Sequence, residues 1–164
     1  MMALAVAFTG ISNSGKTTII EKISTILKDK YKVGIIKHDP KDKAIFDKEG
    51  KDSFKFFSTG AEVAVVSPTR TTYFSHRQKE LEELVLMFGD IDILLVEGLK
   101  NLPLPRICVA RGEIDESYLD YSEALAVDST VDMSRYNVSK SMNIMDLNDP
   151  QTIIEWILQN GKEI

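Results

Sequence analysis

Short, uniformly apolar runs alternate along the chain with segments in which apolar residues recur every three or four positions. Ala3 to Thr9 has no polar alternation and reads as a strand buried on both faces. Ile19, Ile20, Ile23, Ile26 and Leu27 follow at helical spacing, with Glu21, Lys22, Thr25 and Lys28 on the remaining faces. Val33 to Lys37 reads as a second strand, Asp52 to Ser58 as a short helix ending near Gly60, and Glu62 to Ser67 as a third strand. Thr71 to Phe74 is a short β-rich piece after the Pro68 turn, and Gln78 to Met87 an acidic amphipathic helix stopped by Gly89. Ile91 to Val96 is the most strand-like run. Arg106 to Ala110 and Ala124 to Val127 add further strands, and Pro150 to Leu158 a helix with Pro in its first turn. Strands alternating with helices predict an α/β fold with a mostly parallel sheet covered by helices.

The 164 residues suit one domain, residues 1–164, and neither a repeat nor a compositional shift marks a boundary. A chain of this length buries about 70% of its unfolded surface, enough to fold without a disulfide or structural metal. Hydrophobic residues make up 43% and charged residues 27%, which excludes a disordered chain, a coiled coil and a collagen-like fibre. The net charge of −5, with no basic stripe, argues against nucleic acid as a partner. Cys108, the one cysteine, excludes an internal disulfide and a cysteine zinc site, and its apolar neighbours Ile107 and Val109 make it a core residue. Met1 to Phe8 is apolar but lacks the basic start of a signal peptide, and no run reaches the ~18 apolar residues of a membrane span. The expected location is the cytoplasm, away from the membrane.

The chemistry lies just after the first strand. Gly10-Ile11-Ser12-Asn13-Ser14-Gly15-Lys16-Thr17 matches G-x-x-x-x-G-K-[ST], between a predicted strand and a predicted helix. Glycines there let successive backbone N–H groups point inward as an anion nest, and the following helix adds its N-terminal dipole. Lys16 is expected to reach the β- and γ-phosphates of a nucleotide, and Thr17 to coordinate Mg²⁺. Such a site also needs a carboxylate near the metal. Asp92 and Glu97 flank the Ile93–Val96 run; five residues of strand put Asp92 about 16 Å from the carboxyl edge where ligands sit, so Glu97 is the candidate. Lys37, His38 and Asp39 end the second strand at the same edge, and Gly50-Lys51-Asp52-Ser53 opens a helix that could meet an anion.

The Asn-Lys-x-Asp run by which many GTPases read guanine is not in the sequence, so spacing alone leaves GTP and ATP open. Asp47-Lys48-Glu49-Gly50 spells a switch motif but follows a loop rather than an apolar strand, and reads as coincidence. No arginine stands beside the motifs; Arg70, Arg106 and Arg111 fall in later loops or strands. Phosphoryl transfer is commonly helped by an arginine, so this arrangement predicts good binding and poor turnover unless the other subunit or a partner supplies one.

The phosphate loop, Ile36-Lys37-His38, Gly50-Lys51-Asp52-Ser53, Gly60-Ala61 and Val96-Glu97-Gly98-Leu99-Lys100 occur in the order of one family. Over roughly residues 4 to 128 the chain resembles molybdopterin-guanine dinucleotide biosynthesis protein B, MobB. The resemblance implies a three-layer P-loop NTPase-like fold with helices on both faces of the sheet, binding of GTP and Mg²⁺, and weak GTP hydrolysis. It also implies a homodimeric accessory role in attaching GMP to molybdopterin, beside a partner guanylyltransferase, MobA. Carried onto this chain, Ser12, Asn13, Ser14, Gly15, Lys16, Thr17 and Thr18 would hold the phosphates, with Thr17 and Glu97 at the metal. Lys37, His38, Asp39, Lys51 and Asp52 would border the nucleotide or the anionic pterin, and Asp128 would accept hydrogen bonds from guanine. Glu49 departs from the Pro many relatives carry there, and residues after Asp128 match nothing in the pattern. The alternatives are a small-molecule kinase using ATP, although the Lys41–Lys51 loop lacks the arginines of a kinase lid, and a degenerate interaction scaffold.

Overall fold

The computed structural model describes residues 3–164. In chain order the elements are β1 (Leu4–Thr9), α1 (Lys16–Leu27), β2 (Val33–Lys37), α2 (Asp52–Phe57), β3 (Val63–Val66), β4 (Thr71–Phe74) and α3 (Leu81–Phe88). Then follow β5 (Ile93–Glu97), β6 (Arg106–Ala110), β7 (Ala124–Val127), β8 (Asn143–Asp146), α4 (Pro150–Asn160) and β9 (Lys162–Glu163). Two compact units result, one built from the segments ending at His38 and beginning at Asp90, the other from Asp39–Gly89.

The first unit holds a sheet in the order β2-β5-β1-β6-β7-β8, all neighbours parallel. β9 runs antiparallel to the start of β1, with Leu4 opposite Glu163 and Ala5 opposite Lys162. Successive residues point to opposite faces. Val6, Phe8, Ile93, Leu95, Ile107 and Val109 pack under α1 and α4, together with Ile19, Ile23, Ile153 and Ile157. Each of these buried apolar side chains contributes about 1.5–3 kcal/mol. On the other face, Cys108, Ala110 and Leu125 pack with Tyr118 and Leu119 of the 3₁₀ helix Glu116–Tyr121, and with Met133 and Tyr136 around a second 3₁₀ turn. The fold is therefore a three-layer α/β sandwich, with α-helices on one face and 3₁₀ turns on the other. Burial pushes the Cys108 thiol up to about 11, as suits a core residue.

The layer change positions the site. After β1 the chain turns toward α1, and after β6 it turns toward the opposite face. Loops diverging from adjacent parallel strands leave a crevice at the carboxyl ends, where such sheets bind ligands.

The second unit pairs β3 with β4 in an antiparallel hairpin, Val63 opposite Phe74 and Val66 opposite Thr71. Glu62 fastens its base, accepting from the Tyr73 hydroxyl, from Ser75 Oγ at 3.2 Å and from His76 N at 3.1 Å. The His76 ring stacks on Phe57, their centroids 3.8 Å apart. α3 starts at Leu81, later than the periodicity suggests, because Glu80 and Glu83 form a capping box that stops the helix there. β8 and β9 carry no strand pattern: only Met145 is buried in the first, and the second is two polar residues held by backbone pairing.

Candidate phosphate-binding site

Gly10 and Gly15 take φ values of 134° and 100°, and Asn13 takes 64°. A Cβ on Gly10 would stand 2.2 Å from the Val109 carbonyl oxygen, so the close approach of the loop to β6 requires glycine. Gly15 precedes α1 without any side-chain cap, leaving first-turn N–H groups with no side-chain partner at this helix start. Lys16 Nζ folds back over the loop, donating to Gly10 O at 2.9 Å and Ile11 O at 2.6 Å. Burial lowers its pKa; Lys37 adds to this, while Glu97 opposes it. A polyanion in the loop would favour the charged form of Lys16 again.

The parallel register sets Lys37, Glu97 and Phe8 side by side. Thr17 Oγ1 donates to Glu97 at 3.0 and 3.2 Å, and Lys37 Nζ lies 2.9 Å from Glu97 Oε1. Asp92 is at the other end of the strand, accepting from Lys32 N at 2.7 Å. His38 N donates to Glu97 O at 2.9 Å. Gly98 has φ 91°, and a Cβ there would stand 3.0 Å from His38 Cβ, so glycine lets the two strand ends close on each other.

Arg106 completes the support of this edge. It is 1% exposed and donates to the carbonyls of Gly98, Leu99, Lys100 and Leu102 at 3.1–3.3 Å, tying down the loop that leaves Glu97. Sequence reading gave Arg106 no such task, and its signal, a charged residue opening a buried strand, is weak.

The expectation that no arginine stands beside the motifs is corrected twice, by Arg106 against Gly98, Leu99 and Lys100, and by Arg111. Arg111, expected away from the motifs, follows β6 directly and lines the same cavity of about 390 Å³ as Ser12, Lys16, Thr17, Lys37 and Glu97. Gly15, Asn13 and Thr18 also border it, while Ser14 is buried beneath the loop with Oγ 3.4 Å from Lys16 Nζ. Arg111 Nε pairs with Asp128 Oδ2 at 2.8 Å. The other oxygen, Asp128 Oδ1, accepts from Thr130 N at 3.1 Å and Thr130 Oγ1 at 2.5 Å. The Thr130 hydroxyl chiefly, with Arg111, holds the Asp128 carboxyl below its usual range. The carboxylate expected to read guanine is thus already engaged on both oxygens.

Asp39, Lys51 and Asp52 belong to the second unit. Asp39 Oδ2 accepts from Lys43 N and Ala44 N, both at 2.7 Å, shaping the turn after it. Lys51 is the extended residue before α2, and Asp52, in its first turn, lies 3.3 Å from Lys55.

A larger depression of about 470 Å³, bordered by Lys100, Pro103, Tyr121 and Lys162, is the wider concavity, but the residues of the Gly-Lys-Thr loop are not among those lining it. The chemistry of the smaller cavity carries the assignment.

A parallel sheet whose first strand passes through a Gly-rich lysine loop into a helix, with a carboxylate on the adjoining strand facing the loop's threonine, defines an α/β protein of the P-loop class. Within that class the chain belongs to the molybdopterin guanine dinucleotide synthesis protein B (MobB) family, whose model matches residues 5–130. It is 30% identical over 155 residues to the molybdopterin-guanine dinucleotide biosynthesis adapter protein of Haemophilus influenzae, covering 91% of this chain and 84% of that one. A relative from Methanocaldococcus jannaschii is 28% identical over 142 residues, and the chain spans 58% of that protein's length. The crystal structure of Bacillus subtilis MobB superimposes with a TM-score of 0.75 at 25% identity, over 97% of this chain and 98% of that one.

Proposed function

We propose that this protein is a GTP-binding adapter that assists attachment of GMP to molybdopterin, acting in the cytoplasm beside a MobA-like guanylyltransferase that carries out the transfer. The observation that carries the reading is the Lys16–Thr17–Glu97–Lys37 cluster at the mouth of the phosphate loop, in a chain of the MobB family. Guanine as the base follows from the product in the family's name.

The residues suit Mg²⁺. Among the described residues no group of three His, Cys, Asp or Glu side chains could cage a metal. Mg²⁺ needs no such cage, being held by one or two protein oxygens with phosphate and water. Thr17 Oγ1 and the Glu97 carboxylate would hold it, directly or through water. The ion would neutralise phosphate charge there. Lys37, now paired with Glu97, would be freed toward the terminal phosphate as the carboxylate turned to the metal. Lys16 would leave the Gly10 and Ile11 carbonyls for the β- and γ-phosphates.

Weak GTP hydrolysis fits the cavity. Its arginine, Arg111, stands beside Gly15 on the β6 side, whereas Glu97 and Lys37 lie on the β5 side. The protein is proposed to act as a homodimer. Among the described residues the β3–β4 sheet has two strands with unpaired edges and exposed Val66 and Tyr73, and Thr71–Phe74 is a strand able to pair across a two-fold axis.

Calorimetric titration with GTP and ATP, with and without Mg²⁺, tests the reading. A GTP preference of about tenfold, or about 1.4 kcal/mol, is expected, with binding abolished by Lys16→Ala and its Mg²⁺ dependence weakened by Glu97→Gln. Undiminished GTP affinity in Lys16→Ala would refute the site. Equal affinity for ATP would remove the guanine assignment.

A further inference from the structure

The cavity has two walls on opposite sides of β1. Glu97 and Lys37 come from β5 and β2, and Arg111 from the residue that follows β6, backed by Asp128 just after β7. In a loop of this pattern the threonine and lysine mark the metal and outer-phosphate end, while backbone N–H groups cradle the inner phosphates. The Thr17–Glu97 contact therefore fixes the outer end on the β5 wall. The β6 wall then faces the inner end.

Arg111 is oriented for an anion. Nη2 lies 3.8 Å and Cζ 4.0 Å from where a Cβ on Gly15 would stand, so the guanidinium sits at the lip of the loop. Nε is taken by Asp128, whose side chain is 9% exposed, while the Arg111 side chain is 48% exposed. Nη1 and Nη2 keep donors in a planar fork, the geometry that matches phosphate oxygens. Thr130 holds the far side of Asp128 through two hydrogen bonds, so the guanidinium plane is set before any ligand arrives.

Resting on the nucleotide-site reading above, we propose that Arg111 is a ligand of the α- and β-phosphates, and that Asp128 is its positioning residue and takes no part in reading the base. GDP and GTP would share this contact equally. The arginine would hold nucleotide and leave the terminal phosphate to Lys16, Lys37 and the metal.

The test is calorimetric titration of Arg111→Gln, Arg111→Lys, Asp128→Asn and the Arg111→Gln/Asp128→Asn double variant with Mg²⁺-GTP, Mg²⁺-GDP and Mg²⁺-ATP. Trp156 fluorescence checks that each variant is folded. Arg111→Gln should lose about tenfold or more in affinity for GTP and GDP alike, the cost of a charge-assisted phosphate contact. Arg111→Lys should fall in between, because one ammonium cannot serve Asp128 and a phosphate in the same fork geometry; it carries the test if the glutamine variant does not fold. Asp128→Asn should weaken both guanine nucleotides about threefold or more, and add no further loss once Arg111 is gone. Unchanged GTP and GDP affinity in both Arg111 variants, beside lost binding in Lys16→Ala, would overturn this proposal and leave the nucleotide site standing. A loss confined to GTP would move Arg111 to the terminal phosphate and overturn it. So would an altered GTP-to-ATP preference in Asp128→Asn, which would make that carboxylate a base reader, or an equal Asp128→Asn loss with and without Arg111.

Discussion

Replacing Arg106 by Met tests whether a buried cation secures the edge of the site. Methionine replaces the apolar stem of arginine, reaching about as far as Nε, while removing the guanidinium. Leu99 O and Leu102 O also accept backbone N–H groups, from Leu102 and Leu104 at 3.1 and 2.8 Å, so they keep a partner after the change. Gly98 O and Lys100 O lose the donor they have here. Two stranded carbonyls cost about 1–3 kcal/mol each. Against this, removing the buried cation returns part of its desolvation cost, the same cost that lowers the Arg106 pKa. The loop cost exceeds the return, because the native carbonyls have already offset most of the burial, and the expected net destabilisation is about 3 kcal/mol. With a urea m-value of about 2 kcal/mol/M, the midpoint falls by about 1.5 M. Urea unfolding followed through Trp156, which packs in the core of the same unit, measures the shift. Arg106→Ala adds a cavity and should fall further. A midpoint shift below about 0.3 M in both variants would refute the reasoning, since the carbonyls would then be satisfied without the arginine.

Gly98→Ala places a Cβ at φ 91° and 3.0 Å from His38 Cβ, and is expected to cost about 1–2 kcal/mol by the same unfolding assay, with weaker Mg²⁺-dependent nucleotide binding as Glu97 shifts. In the second unit, Glu62 and Glu83 are each held at about 2 against an ordinary 4.5, chiefly by the Tyr73 hydroxyl and by Arg77. Because both values are depressed in the folded state, the unfolded chain binds more protons between these limits. The stability they supply is complete above pH about 4.5 and is lost as pH falls toward about 2. Protection factors of the β3 and β4 amides, taken relative to the intrinsic exchange rate at each pH, should fall across that window, and Tyr73→Phe should flatten the Glu62 part of the dependence. Protection factors that stay constant from pH 4.5 to 2 would remove both pairs from the account.

The central strands were legible because their physics is local. A strand buried on both faces must be a continuous apolar run, and β1, β5, β6 and β7 are such runs, so their place in a parallel sheet follows from composition over four to six residues. β8 and β9 lie where that signal fails. β8 buries Met145 alone among its residues, and Lys162–Glu163 pairs only through its backbone. The separate compactness of Asp39–Gly89 was equally hidden, because no glycine- or serine-rich linker marks either passage and the hairpin inside it is no more polar than its surroundings.

The candidate site divides along the same line. The loop from Gly10 to Thr17 is contiguous and its glycines are demanded by backbone angles, so eight residues carry their own geometry. Glu97 was reachable because its strand direction says which end of the run meets the loop. Arg111 and Asp128 are 17 positions apart in sequence, each reading as a polar residue leaving an apolar strand. What joins them is the register of β6 on β7, Ala110 opposite Val127, which makes the next residue of each strand a neighbour across the crevice. The same rule of strand direction that selected Glu97 over Asp92 would have selected Arg111, had it been applied to every strand end instead of to the carboxylates alone. Charge complementarity gives the reason to do so. A loop built to hold a polyphosphate leaves negative charge to offset along its whole length, and Lys16 and Lys37 lie toward one end of it. On the reading proposed here, the backbone N–H groups at the other end would be joined by a cation from the sheet edge, and Arg111 is the residue that the end of β6 places there.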